Sequence, residues 1–444
     1  MLTWFRTWFL RLMRWMLWVD KPVPVRDEAQ FAAEVERHYR WNLTFNLLDV
    51  ATFLFSASFI SASTIVPLFI SKLTSSSFPI GVAAMIAQGG WALPQVFTAN
   101  AVERLPHKKP IIVNLGFFFQ RLPLWFLILA AMVAGGSPML ALFIFLGSYA
   151  WHNVGAGIVS TAWQDLLARC YPLERRGRSL GVSTFLGTGT GILGSAFSAW
   201  ILEKLAFPSN FVLNFAIAAA GVTISWAFLS RVREPVRPIR APRRSQRQFW
   251  AGLRDIWRRD HNYRRFLMAR LLMAMGTMGS GFVTVAALNR WQVADSTVSV
   301  YTAIMLLGQT VGNLFVGWLA DRFGHKLSLE LGGLAIAVAF ALAWLAPAPV
   351  WYYGVFALLG VNVGANMVSG TLMTMEFCVP ERLPTYAGML NSAIGVVSIV
   401  TPLLGAWLAS VDYGILFALS AGVNLVGWAA LHWWVAEPRW AHST

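Results

Sequence analysis

Twelve long apolar runs, separated by short polar breaks, constrain this 444-residue chain more than any other feature of its sequence. They cover about residues 42–71, 80–102, 110–134, 138–168, 177–205, 210–232, 263–290, 297–320, 327–346, 350–376, 384–410 and 412–435, called spans 1 to 12 below. Crossing a hydrocarbon core as an α-helix takes roughly 20 apolar residues, and each run supplies about that many. Only 12% of the residues are charged, while 57% are hydrophobic; soluble domains carry roughly 25% charged residues. The composition therefore predicts an all-α membrane protein.

The formal net charge is +15. Such basicity can mark a nucleic-acid partner, so the location of the charges decides its meaning. Most Lys and Arg residues lie in the loops that follow even-numbered spans, whereas the odd-numbered loops hold only Lys72, Lys204 and Arg290. Positive residues stay on the cytoplasmic side during insertion, so both termini are expected inside a plasma or inner membrane, and no nucleic acid is expected as a partner. Cys170 and Cys378 fall on that reducing face and read as unpaired small side chains. The sequence has no aligned Cys and His cluster with metal spacing, no phosphate-binding Gly-rich loop and no nucleophile elbow. No enzyme activity, metal or cofactor is expected.

The first residues, "MLTWFRTWFLRLMRWMLW", interrupt an apolar face with Arg6, Arg11 and Arg14, and Phe31, Val35 and Tyr39 repeat at helical spacing further on. Residues 1–41 are therefore expected to form an amphipathic cytoplasmic segment lying in the headgroup plane. Residues 42–232 would form one six-helix bundle and 263–438 a second, with 439–444 as a tail. Between the bundles, residues 233–262 begin Pro-rich and continue with Phe249, Trp250, Leu253, Ile256 and Trp257 at helical spacing against arginines. That loop and the N-terminus are expected to meet anionic lipid headgroups. A monomer is expected.

The two bundles echo each other. "VERLPHKK" at 102–109 has the shape of "LADRFGHK" at 319–326, Glu174-Arg175 answers Glu381-Arg382, and "VREP" at 232–235 answers "VAEP" at 435–438. The offsets are 218, 207 and 203 residues. Two pseudo-symmetric six-helix bundles in the same orientation account for all three pairs.

On these residues the chain resembles the major facilitator superfamily of secondary transporters. "GWLADRFGHK", from Gly317 through Asp321, Arg322 and Gly324 to Lys326, is similar to the superfamily's loop motif between the second and third helices of each half, with His325 in place of its second Arg. The first-half copy is degenerate: Ala99 stands for the leading Gly, Glu103, Arg104 and Lys108 keep the charges, and Pro106 replaces the second Gly. The resemblance implies twelve helices and a charged loop acting as a latch on the cytoplasmic gate. It would place Glu103 against the start of span 11, near Pro384 to Gly388, and Asp321 against the start of span 5, near Gly177 to Gly181. A carboxylate there would be held by the positive end of the neighbouring helix.

In the same family the first helices of the four three-helix units line the cavity. Here they carry polar stripes: Asn42, Asn46, Asp49, Ser56 and Ser63 on span 1, Asn153, Gly157, Ser160 and Gln164 on span 4, Arg270, Thr277, Ser280 and Thr284 on span 7, and Asn362, Asn366, Ser369 and Glu376 on span 10. Steps of three, four and seven keep each set on one helix face. The expected substrate cavity comprises Ser56, His152, Asn153, Thr277, Ser280, Asn362 and Asn366, with Trp151 as a stacking wall. Ser, Thr and Asn also stitch membrane helices together, so each has a second, structural reading. Asp49 and Arg121 lie well inside spans 1 and 3, where a charge costs roughly 2.5 to 3.5 kcal/mol on insertion scales. They are read as a buried pair, with Asp49 either coupling protons or serving as half of a fixed brace. The expected function is secondary active transport of a small organic solute by alternating access, with proton-coupled efflux as one form. The alternatives are uptake of a sugar-like metabolite and a transport-inactive sensor or scaffold.

Overall fold

A computed structural model describes residues 2–236, 254–378 and 383–438. Its long helices are Glu28–Leu73, Phe78–Glu103, Ile111–Val133, Pro138–Cys170, Leu173–Lys204, Ser209–Leu229, His261–Trp291, Asp295–Ala320, His325–Leu345, Trp351–Glu376, Leu383–Val411 and Tyr413–Trp434. These correspond one to one with spans 1 to 12, and eleven of them meet a length and hydropathy requirement for crossing a membrane. Span 2 is the twelfth, 26 residues long, with Pro94 inside it. The chain is a multi-pass membrane protein with two six-helix halves.

Three boundaries differ from the sequence reading. The amphipathic turns around Phe31, Val35 and Tyr39 do not form a separate surface helix; they are the first part of one helix, Glu28–Ala57, capped by the Asp27 carboxylate on the Gln30 amide at 2.7 Å. Both halves also break their first helix. Span 1 tightens at Ser58–Ile60 and restarts at Ile65, and span 7 tightens at Thr277–Gly279 and restarts at Val283. Span 3 opens with two π-wound stretches, Ile111–Leu115 and Phe117–Arg121. The N-terminal helix Leu2–Met16 forms as expected, with exposed Trp4, Trp8 and Trp15. Phe249, Trp250 and Leu253 lie outside the described residues.

The repeat seen in the sequence has a physical counterpart. Asn42, near the foot of span 1, donates from Nδ2 to the carbonyl of Arg233 at 2.9 Å and accepts from the amide of Arg233 at 2.8 Å. Asn262, at the foot of span 7, does the same with the carbonyl and amide of Ala436 at 3.0 and 2.9 Å. In each half one asparagine therefore fastens the chain leaving the sixth helix to the start of the first. These four groups define one end of the molecule, called here the terminal end; the opposite end is the far end.

Burial shows how the halves meet. At the far end a single apolar core runs through both, joining Phe59, Phe69, Phe145 and Phe215 to Met278, Phe282, Tyr301 and Phe340. At the terminal end, among the described residues, the core divides in two: Val102, Ile112, Leu166 and Leu229 in one half, Tyr263, Phe266, Phe377 and Leu431 in the other. The halves touch along spans 2 and 11 and along spans 5 and 8.

Close helix approach rests on missing side chains at a few places. A Cβ on Gly155 of span 4 would stand 1.9 Å from the Phe119 carbonyl oxygen of span 3, and one on Gly360 of span 10 would stand 2.0 Å from the Met305 oxygen of span 8. Small residues let membrane helices pack this tightly where hydrophobic driving force is absent. Gly155→Ala should therefore lower stability by about 1 to 3 kcal/mol, whereas Gly147→Ala, with open space around it, should be silent. The half-loss temperature of monodisperse protein after heating checks this; equal values for the two variants would contradict the packing account.

Candidate functional site

A cavity of about 430 Å³ lies between the halves. Its polar wall comes from Asn46 and Asp49 on span 1, Gln120 and Arg121 on span 3, His152, Asn153 and Ser160 on span 4, and Ser183 and Thr184 on span 5. Trp91, Trp163, Phe53 and Val159 supply apolar surface, and among the described residues of the second half Gln309 and Met367 contribute. Leu167, Leu180 and Leu229 carry the lining toward the terminal end. A second space of about 260 Å³ continues toward the far end past Ser58, Ser61, Ala62, Tyr149 and Leu306. The two share Phe53, Leu54, His152 and Asn153.

The sequence of span 3 explains the charged corner. Its π-wound stretch ends at Arg121, and the missing side chain at Gly155 lets that distorted backbone lie against span 4. Arg121 is 4% exposed. One of its terminal nitrogens donates to the side-chain oxygen of Gln120, and its Nε has no partner. The backbone oxygen of Gln120 meets His152 Nδ1 at 2.5 Å, which makes that nitrogen the protonated one. Asp49 accepts from the Ser225 hydroxyl of span 6 at 2.6 Å. Asn46 accepts from Ser183 at 3.0 Å, and its Nδ2 is buried without a partner. Asp49 and Arg121 thus face one cavity but form no direct ion pair within 4.0 Å among the described residues.

Beyond the cavity, the far end is closed. Among the described residues four polar contacts join the halves there: Thr64 to Thr302 at 2.5 Å, Ser198 to Ser299 at 3.0 Å, the Thr284 hydroxyl to the Ser63 carbonyl at 2.8 Å, and Lys72 to Asp295 at 2.8 Å. The broken segments of spans 1 and 7 make this possible, because each turns its second piece across the other half.

The sequence profile described as Major Facilitator Superfamily matches residues 266–443. The enterobactin exporter EntS of Shigella flexneri is 27% identical over 373 residues, 82% of this chain and 83% of that protein. An uncharacterised MFS-type transporter of Bacillus subtilis, YfkF, is 24% identical over 297 residues, 62% of this chain and 71% of that one. The fold matches the crystal structure of the nucleoside transporter NupG with a TM-score of 0.61 at 15% identity, over 88% of this chain and 98% of that chain. The second half of the chain thus matches the major facilitator superfamily, and the whole chain resembles that family's transporters. It is a secondary transporter of small solutes.

The superfamily loop motif folds into two tethered corners. In the first half, Lys108 is fully buried; its ammonium meets the Val102 carbonyl and lies 3.2 Å from Asp165. Burial pushes that ammonium below the usual lysine range, and Asp165 pulls the other way. The amides of Lys108 and Lys109 donate to the two oxygens of Glu234 at 2.7 and 3.0 Å, and Arg169 braces Asp165 from below. In the second half Gly324 has φ +99°, and a Cβ there would stand 2.7 Å from the Glu437 carboxylate. Lys326 donates to the His432 carbonyl at 2.8 Å and lies 3.6 Å from Glu330. The matched "VREP" and "VAEP" stretches thus return a glutamate to the matched loops. Arg104 and Arg322 are exposed, and Arg322 packs over Trp318 and Phe323. Gly317 has only Val368 near it, at 3.8 Å from a built Cβ. The side chains of Ala99, Glu103 and Asp321 lie outside the described residues. The partners proposed for Asp321, Gly177 and Gly181, have nothing within 4 Å of a built Cβ.

Of the expected cavity residues, His152 and Asn153 line the cavity. Ser56 does not: it is fully buried against Gly221 of span 6, bonded to the Thr52 carbonyl. Trp151 stacks beside Phe126 on an outward face, 39% exposed, because one residue of helix rotates it about 100° from His152. Asn362 donates to the Gly332 carbonyl at 2.8 Å, Asn366 accepts from Arg270 at 2.7 Å, and Thr277 bonds the Ala274 carbonyl at 2.7 Å. Ser280 sits in the turn after the span 7 break. Asn362 and Asn366 tie span 10 to spans 9 and 7, and none of the four is in the cavity wall formed by the described residues. Gln120, Trp91, Ser183 and Thr184 also line it, on spans 2, 3 and 5, outside the four helices expected to form the cavity, and Trp163 on span 4 is apolar, so no polar stripe points to it.

Lys72→Gln should loosen the far-end closure. The pair is 35% and 21% exposed, so it holds about 0 to 1 kcal/mol. A cysteine placed at Ser61 should then react a few-fold faster with an impermeant maleimide added at the far side, and the Lys72→Asp, Asp295→Lys double swap should restore the slower rate. Equal rates in all three proteins would contradict the closure.

Proposed function

We propose that this transporter works by alternating access and that its structure is the state open to the cytoplasm. The terminal end carries the basic loops, which supports placing it inside the plasma or inner membrane. The observation that carries the reading is the asymmetry of the core: one apolar core shared by both halves at the far end, two separate ones at the terminal end, and a polar cavity opening between them. Rocking residues 42–232 against 263–438 would close the second pair of surfaces and open the first. The loops at 102–109 and 317–326 sit where that closure would occur, which supports a role for them as the latch.

Proton-coupled export is the form of transport best supported. Among the described residues Asp49 is the one acid in the cavity wall, it is 5% exposed, and the contact it makes is with a neutral hydroxyl. A carboxyl so placed can gain and lose a proton without dismantling an ion pair. The outward direction is supported by the broad match to a relative that is an enterobactin exporter.

In proteoliposomes with a pH gradient, the wild-type chain should drive solute flux that collapses when the gradient is dissipated. Asp49→Asn should retain counterflow exchange at equal pH and lose at least about tenfold of gradient-driven flux, the scale expected when one charge-carrying group is removed. Undiminished gradient-driven flux in that variant would move the coupling site elsewhere. Absence of any flux, gradient or exchange, would favour a sensor or scaffold.

A further inference from the structure

We infer that the cavity takes an organic anion with a flat, apolar body, a carboxylate on an aromatic ring system being the simplest form. This rests on the reading of the cavity as the transport site and names what enters it.

The hydrogen-bonding inventory of the wall is unbalanced. Two buried side-chain nitrogens in it lack any partner, Arg121 Nε and Asn46 Nδ2, and both are donors. An N–H buried without an acceptor is costly, more so on a charged group, so the pair calls for a ligand that brings acceptor oxygens. The neighbours cannot supply them. The Gln120 side-chain oxygen is already taken by another nitrogen of Arg121, and the Asn46 oxygen by Ser183. Asp49, the one carboxylate among the described lining residues, accepts from Ser225 of span 6 and does not reach Arg121 within 4.0 Å. A guanidinium in this setting offers a planar fork that matches a carboxylate.

The remainder of the wall fits the rest of such a molecule. Trp91, Trp163 and Phe53 present rings, and Val50, Ile112, Val159, Leu167 and Met367 continue the apolar surface. Flat rings stack on these at little entropic cost. A volume of about 430 Å³ suits a small organic molecule. The amides of span 10 that could have served a sugar are bonded within the second half.

Calorimetric titration of the purified full-length chain tests this with three probes of one shape: 1-naphthoate, neutral 1-naphthamide and cationic 1-naphthylmethylammonium. Naphthoate should bind about tenfold or more tighter than the amide, the effect of a charge-assisted hydrogen bond, and the cation weakest. Arg121→Gln should erase the difference between naphthoate and amide. Gly147→Ala, away from the cavity, should bind naphthoate as the wild type does, and an unchanged melting midpoint of Arg121→Gln separates a lost preference from a folding defect. Equal binding of the three probes, tighter binding of the cation, or an unchanged preference in Arg121→Gln would overturn the inference. So would saturable binding of D-xylose where naphthoate fails. Naphthoate preference without flux in proteoliposomes supports the ligand class and overturns the transport reading; flux of neutral solutes only does the reverse.

Discussion

Hydrocarbon offers no partner to a polar group, and the architecture follows from that refusal. Twelve helices satisfy their own backbones. Side chains that could not face lipid turn inward, where they either stitch helices or meet in a seam. Asn42 and Asn262 show the first outcome, each fastening two backbone groups of a departing chain. Asp49, Arg121, His152 and Asn46 show the second: they converge on a space between the halves and leave two donors unspent. The functional site is the place where stitching is incomplete.

The same constraint makes motion possible. Helices in a membrane gain little from hydrophobic burial against each other, so their association depends on close packing and a few hydrogen bonds. Within each half, glycines at 155 and 360 bring backbones into contact, and those halves should move as units. Between halves, the polar contacts among the described residues are confined to one end: three hydroxyl bonds and one partly exposed ion pair. Such a seam can exchange for an equivalent one at the terminal end at modest free-energy cost, which alternating access requires.

The architecture was legible in the sequence because apolar run length and loop repetition report directly on span number and pseudo-symmetry. The runs at 138–168 and 412–435 match helices Pro138–Cys170 and Tyr413–Trp434 within a few residues. The breaks at Ser58–Ile60 and Thr277–Gly279 were hidden, since a tightened turn keeps the same apolar composition as the helix around it. Site residues were half legible. A single charge or histidine in an apolar run stands out, so Asp49, Arg121 and His152 could be named. Polar stripes on spans 7 and 10 misled because an amide that faces a neighbouring helix and one that faces a cavity have the same spacing; only the partner distinguishes them. Trp91 and Trp163 could not be separated from the other tryptophans, for aromatic side chains facing lipid and facing a cavity look alike in sequence.

The central proposal is that two rigid halves pivot about the seam, exchanging a closed far end for a closed terminal end. Distances between paired spin labels measure it most directly, with one pair at Gly177 and Met375 for the terminal end and another at Leu205 and Val411 for the far end. On moving from the structure described here to the opposite state, driven by ligand or by a change of pH, the first distance should shorten and the second lengthen in the same population. Two distributions that stay fixed, or that lengthen together, would contradict the account.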